Sequence, residues 1–276
     1  MLNRRIIPCL LLENEKLVKT IKFKTPKYIG DPINAVKIYN DKEVDEIIFL
    51  DITATIKNTK PPFKLISEIA NECFMPFAYG GGINNVEDMK KIFSLGVEKI
   101  IINSNAIKNP NIIKEAMELF GSQSIIVSID AKKNWAGKYE VFSECGKKST
   151  GLDPVEWSKK VEKLGAGEIF LTSIEKDGTM EGYDLDLIQK VANKVNIPVI
   201  ACGGAGEIKD FSKAIKFGAS AVAAGSLFVY QGKNMGVLIN FPTKEQIKSI
   251  EGMGQSIIMK IPQKEEIKKI VDDDFI

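Results

Sequence analysis

The chain repeats itself. Tyr79-Gly-Gly-Gly-Ile83 returns as Cys202-Gly-Gly-Ala-Gly206, Leu50-Asp-Ile-Thr53 as Leu171-Thr-Ser-Ile174, and Ile102-Asn-Ser-Asn-Ala106 as Ala224-Gly-Ser-Leu-Phe228. The apolar run Arg5-Ile-Ile-Pro-Cys-Leu-Leu11 corresponds to Ser124-Ile-Ile-Val-Ser-Ile-Asp130. The four pairs share one period of about 120 residues, the mark of two fused halves with a common fold. Chance likeness between glycine-rich turns does not place four pairs in one register.

Within each half, short apolar runs alternate with stretches of helical period. The runs predict strands near 5–11, 46–52, 75–79, 98–103, 124–130, 168–173, 197–202 and 220–225. The periodic stretches predict helices over 31–43, 62–73, 85–95, 110–120, 153–165, 184–195 and 207–217, with Asp31-Pro32, Asn109-Pro110 and Asp153-Pro154 as cap and first-turn pairs. An alternating β/α pattern gives either a closed (β/α)8 barrel or an open doubly wound sheet. The half-and-half repeat selects the barrel, an α/β TIM fold made of two fused half-barrels of four β/α units. The barrel is expected over 1–240, with a C-terminal helix from about Thr243 and a tail of no assigned role over 241–276.

Composition narrows the chemistry. The 276 residues contain no histidine. Ser-His-Asp and Cys-His triads and His-containing metal sites are therefore excluded, and proton transfer falls to carboxylates, Lys, Tyr or Cys. No metal or cofactor is expected. Cys9, Cys73, Cys145 and Cys202 show no zinc-like spacing and read as reduced thiols of a cytoplasmic protein. A formal net charge of +2 gives no reason to expect nucleic acid or a membrane as partner. The first apolar run is too short to span a bilayer.

Functional groups concentrate at the strand ends. Glycine-rich turns and helix starts above barrel strands bind phosphate. One predicted cradle uses Gly81, Gly82, Asn103 and Ser104; its repeat-related partner uses Asp177, Gly178, Gly204, Gly225 and Ser226. Two opposed cradles suit a substrate with a phosphate at each end, or a diphosphate plus another polar group. Asp130 ends its strand between them and is the candidate general acid or base, with a plain helix-capping Asp as the alternative reading. Asp51 holds a related place, and spacing alone does not separate the two roles. The Lys-rich segment 13–30 reads either as a solvated loop or as a lid carrying Lys19 as an anion ligand, and 132–151 is its repeat-related equivalent. At the opposite ends of the strands, Arg5, Glu46, Lys99 and Glu168 each precede an apolar run. Two cations and two anions are thereby placed around the barrel base, where they could close or gate its axis.

With these residues together, the chain resembles the cyclase subunit of imidazole glycerol phosphate synthase, the HisF family, over about residues 1–230. The likeness is carried by Arg5-Ile-Ile-Pro-Cys-Leu, Gly30-Asp-Pro, Phe49-Leu-Asp-Ile-Thr-Ala, Tyr79-Gly-Gly-Gly-Ile, Ser128-Ile-Asp130, Leu171-Thr-Ser-Ile-Glu-Lys-Asp-Gly-Thr179 and Cys202-Gly-Gly-Ala-Gly206. The resemblance implies a lyase-type barrel of histidine biosynthesis that receives ammonia from a glutaminase docked on its bottom face. It implies that Arg5, Glu46, Lys99 and Glu168 form the ammonia gate. It also implies that Lys19 and both cradles serve the substrate, and that acid/base carboxylates stand at positions 11 and 130. Position 11 is Leu here. That departure, with Pro8-Cys-Leu-Leu-Leu12, Val18-Lys-Thr20 and Gly232-Lys-Asn234, is similar to a paralogous branch associated with surface polysaccharides. In that branch ammonia converts a sugar N-acetyl group to an acetamidino group, often with a third amidotransferase-like partner. Three expectations stand: a diverged synthase acting on a phosphorylated or nucleotide-sugar acceptor, a true histidine-pathway cyclase, or a noncatalytic ammonia conduit.

Overall fold

The computed structural model describes residues 4–232, 235–243 and 245–247. Eight parallel strands form the staves of a barrel: β1 (Ile6–Glu13), β2 (Ile47–Asp51), β3 (Phe77–Gly80), β4 (Lys99–Ile102), β5 (Ile125–Lys133), β6 (Glu168–Ser173), β7 (Val199–Cys202) and β8 (Ala221–Ala224). Each stave pairs with the next in chain order. The ring closes where β1 pairs with β8, Ile6 opposite Val222. The closed (β/α)8 barrel expected from the repeat is therefore present, and the open doubly wound sheet is not.

Alternation along each stave separates two cores. Ile7, Cys9, Leu11, Ile48, Ala78, Ile101, Ile126, Phe170, Ile200, Ala221 and Ala223 fill the lumen. The intervening residues, such as Ile6, Leu10, Leu12, Ile47 and Phe49, pack outward beneath the helices. Staves buried on both faces explain why the strands read as continuous apolar runs rather than alternating ones.

The seven predicted helices form as α1 (Pro32–Asp41), α2 (Phe63–Glu72), α3 (Val86–Ser94), α4 (Asn111–Phe120), α5 (Pro154–Lys163), α6 (Leu185–Ala192) and α7 (Ile208–Lys216). The Asp31 side chain accepts from Asn34 N at 3.0 Å, and Asp153 accepts from Val155 N at 2.8 Å, as N-caps should. Asn109 does not cap α4. It closes the preceding short helix Ser104–Lys108, its N–H donating to Asn105 O, and α4 starts after Pro110 without a side-chain cap.

The expected loops 13–30 and 132–151 are instead antiparallel extensions of the staves. Strands Lys16–Ile21 and Lys24–Gly30 fold back on the end of β1, with Leu11 opposite Val18. β5 continues to Lys133 and pairs with Tyr139–Ser143, placing Asp130 opposite Phe142. The first hairpin is ordered by its inner residues: Leu17, Val18, Lys19 and Thr20 are all buried. After β8 come the helix Ser226–Val229 and Phe241, whose ring lies 5.2 Å from that of Phe228. Thr243 and Gln246 cap each other reciprocally, as a helix start requires, and residues 248–276 lie outside the described residues. Among the described residues no helix is long and apolar enough to cross a membrane.

Candidate active site

A cavity of about 590 Å³ opens at the C-terminal ends of the staves, within the usual range for small-molecule sites. It brings together Leu11, Lys19, Asp51, Asp130, Asp177 and the glycines and serines of both expected cradles.

Asp130 shares its inward face of β5 with Ser128, whose hydroxyl donates to Asp130 Oδ1 at 3.0 Å. Burial pushes the carboxyl pKa up to about 7; the Ser128 hydrogen bond opposes this and the nearby Asp177 charge adds to it. A group poised there holds or releases a proton near neutral pH, as acid/base work requires. Ser128 entered the sequence reading only within the Ser128-Ile-Asp130 motif and without a role, although its i, i+2 spacing from Asp130 on one strand placed both on one face.

Asp51 differs. By strand parity it belongs with Ile47 and Phe49, which face the helices. Its Oδ1 accepts from Thr53 N at 2.8 Å, Thr53 Oγ1 at 2.9 Å and Ala54 N at 2.9 Å, holding the start of the short helix Ala54–Lys57. The capping role weighed for Asp130 thus falls to Asp51, which also lines the cavity.

Lys19 does not stand on a solvated loop. It is buried, with its ammonium 3.4 Å from Asp177 Oδ1. Burial works against the charged form, but Asp177, then Cys9 and Cys202, outweigh it, so its pKa is raised and the side chain is a fixed cation. Asp177 is itself held by several contacts. Its carboxylate is taken by Lys19 and by Thr20 Oγ1 at 3.1 Å, and its N–H goes to Ser173 O.

In the first cradle, the Asn103 amide donates to Ser128 O at 3.1 Å and Phe142 O at 3.3 Å. Ser104 Oγ donates to Asn103 Oδ1 and accepts from Glu144 N at 2.9 Å. These side chains pin the second hairpin, so an anion here would meet the backbone N–H groups at the helix start and the Gly81 and Gly82 turn. Gly81 has φ +118°, and an added Cβ would run into the Asp51 carbonyl, so geometry also requires glycine. In the second cradle, Gly178 and Gly204 are likewise left-handed. A Cβ on Gly225 would lie 2.8 Å from Lys19 Nζ. Ser226 Oγ, buried on the cavity wall, has no hydrogen-bond partner. A buried hydroxyl left unpaired is costly unless a ligand completes it.

At the other end of the barrel the four expected charges form a closed ring. Arg5 reaches Glu46 and Glu168, each at 2.6 Å, and Lys99 reaches Glu46 at 3.0 Å and Glu168 at 2.8 Å. Burial works against the Arg5 charge, but Glu168 and then Glu46 outweigh it and raise its pKa. The apolar lumen residues lie between the ring and the cavity.

A closed TIM barrel with a buried carboxylate at its C-terminal mouth and an ionic ring across its base is an enzyme scaffold of the HisF type. The chain belongs to the histidine biosynthesis protein family, whose model matches residues 5–234. It is 53% identical over 243 residues to a Pseudomonas aeruginosa protein provisionally named imidazole glycerol phosphate synthase subunit hisF2, covering 88% of this chain and 97% of that one. It is 47% identical over 231 residues to imidazole glycerol phosphate synthase subunit HisF of Pyrococcus furiosus, covering 83% and 91%. The HisF subunit of Clostridium botulinum matches at 45% over 247 residues, covering 89% and 98%.

Proposed function

We propose that this barrel is the ammonia-using synthase subunit of a glutamine-dependent amidotransferase, and that its acceptor has diverged from the imidazole-forming substrate of the family. The observation that carries this reading is Leu11. It lies on the cavity wall on β1, four staves from Asp130 on β5. Leu cannot move a proton, and losing one general acid or base costs ~10²–10⁴-fold in rate. The base ring, Lys19, Asp130 and the unpaired Ser226 hydroxyl are all in place, so delivery and anion binding are kept while one proton-transfer group is gone.

On this reading a glutaminase docks against the ring of Arg5, Glu46, Lys99 and Glu168, and ammonia passes along the lumen to the cavity. Asp130 transfers a proton to or from the acceptor, and Lys19 offers a fixed positive charge to the negative charge that develops. The acceptor is a phosphorylated or nucleotide sugar whose N-acetyl group becomes acetamidino as ammonia adds to the amide carbon and the amide oxygen leaves as water, a third amidotransferase-like protein acting with the pair.

A second reading, the histidine-pathway cyclase itself, is favoured by the names of the relatives and by the retained cradles. One assay set separates the readings. The barrel, its glutaminase and ammonium salt are mixed with the histidine-pathway ribonucleotide. Turnover at the level of a relative that carries aspartate in place of Leu11 overturns the diverged acceptor; turnover appearing only in Leu11→Asp supports it. Asp130→Asn in the whole assembly, assayed on the sugar acceptor, should collapse activity; unchanged activity would reduce the barrel to a conduit.

A further inference from the structure

Three lysines ring the cavity mouth on elements far apart in the chain. Lys24 starts the second strand of the first hairpin, Lys57 ends the helix Ala54–Lys57, and Lys147 lies in the turn before Lys148–Ser149. All three are exposed and line the cavity, and Glu13 is the acid that shares this rim. Lys57 Nζ donates to Asn14 Oδ1 at 2.5 Å. Among the described residues neither Lys24 nor Lys147 has an ion-pair partner; Glu144, beside Lys147 in its turn, pairs with Lys148 at 3.9 Å instead.

The elements that present these lysines brace one another. Phe23 and Ile174 lie directly over Gly146, where an added Cβ would meet them at 3.0 and 3.2 Å. Cys145 Sγ donates to Ile52 O at 3.0 Å, tying the second hairpin to the β2 end. The turns themselves are strained: Lys22, Phe23, Thr25, Glu144 and Cys145 all have φ between 50° and 60°, where glycine or asparagine is the easier choice. Side chains kept in such a conformation beside a cavity point to a use for them.

We propose that Lys24, Lys57 and Lys147 form a third anion subsite, distinct from the two cradles, which takes the clustered phosphates of a ligand extending out of the mouth. This rests on the reading that the cavity is the substrate site. The carboxylates that line the cavity, Glu13, Asp51, Asp130 and Asp177, are half-buried or buried, so the exposed charges of the rim are these three ammonium groups, as a pyrophosphate-type group requires, whereas a single cradle suits a lone phosphate. The subsite would exclude ligands that end in a neutral group at this position and hold those with a polyphosphate tail.

The test is the affinity of the full chain for inorganic pyrophosphate, measured by titration calorimetry at physiological salt. The triple variant Lys24→Ala, Lys57→Ala, Lys147→Ala should weaken binding about tenfold or more, as expected for lost charge-assisted contacts. A control with the same change in net charge, Lys132→Ala, Lys133→Ala, Lys138→Ala, should leave it within about twofold, since screening dampens exposed charges beyond ~8 Å. Ser226→Ala, in the second cradle, should also leave it within about twofold. Equal losses in rim and control variants, no loss in the rim variant, a larger loss in Ser226→Ala, or no binding to the parent at millimolar pyrophosphate each overturn the subsite. Ammonium-dependent turnover plays no part in this measurement, so the subsite can fail while the functional reading stands, and the reverse.

Discussion

Leu11 and Asp130 stand on opposite staves of one barrel and line one cavity. Leu11 is buried within the apolar lumen cluster, opposite Val18 of the first hairpin. Leu11→Asp therefore trades buried apolar contact for a carboxyl group. It should destabilise the fold by about 1–3 kcal/mol, the usual range for an ill-satisfied buried polar group. The second carboxylate should also raise the Asp130 pKa further, by like-charge repulsion. Denaturant titrations should show a larger loss at pH 8, where both groups tend to ionise, than at pH 6.

Asp130 gives a stability prediction with a definite sign. Its folded pKa of about 7 lies above the ordinary carboxyl value. Between about pH 4 and 7 the unfolded chain has released this proton and the folded chain keeps it, so Asp130 makes stability fall as pH rises through that window. Asp130→Asn removes this dependence. The variant should match its parent near pH 4, gain on it toward pH 8, and lose activity. Denaturation midpoints compared at pH 5 and pH 8 check the first part, and turnover with ammonium salt checks the second.

The base ring is a network rather than a set of surface pairs, because Glu46 and Glu168 are both buried and each holds two cations. Glu46→Ala leaves Arg5 and Lys99 with Glu168 alone and should cost about 3–5 kcal/mol, the range for breaking a buried pair. Lys99→Met keeps more of the packing and opens the ring. It should lower glutamine-driven turnover more than turnover with added ammonium salt. An equal loss in both assays would place the ring outside the ammonia route.

Ser226 separates binding from folding. Its buried hydroxyl has no partner, so Ser226→Ala should leave the melting temperature unchanged or slightly raised. A phosphate ester that uses the second cradle should bind about 10–150-fold more weakly to the variant, the worth of one hydrogen bond to a charged group. Thermal melts and calorimetry on the same preparation give both numbers.

Much of the barrel was legible because its signals are local. Strand runs and helical stripes with caps at Asp31 and Asp153 need only a window of about 15 residues. The four ring charges were legible for a similar reason, each standing just before a stave. The hairpins after β1 and β5 were not. Segment 13–30 is rich in lysine and reads as solvated, yet Lys19 is drawn inside by Asp177, 158 positions along the chain. Asp51 and Asp130 looked alike at strand ends and were parted only by which face of the strand each occupies.

The sequence by itself determined the eightfold β/α alternation, the two-half repeat, the ring positions and the leucine at residue 11 where its repeat partner is Asp130, since each is a matter of residue type and period. Tertiary structure alone decided that the Asp177 carboxylate holds Lys19, that Asp51 caps a turn, that Ser226 is left unpaired, and that Asp130 titrates near neutrality. Those outcomes depend on contacts between residues distant in the chain and on how far water is excluded from each group. Neither quantity is written in the local order of residues.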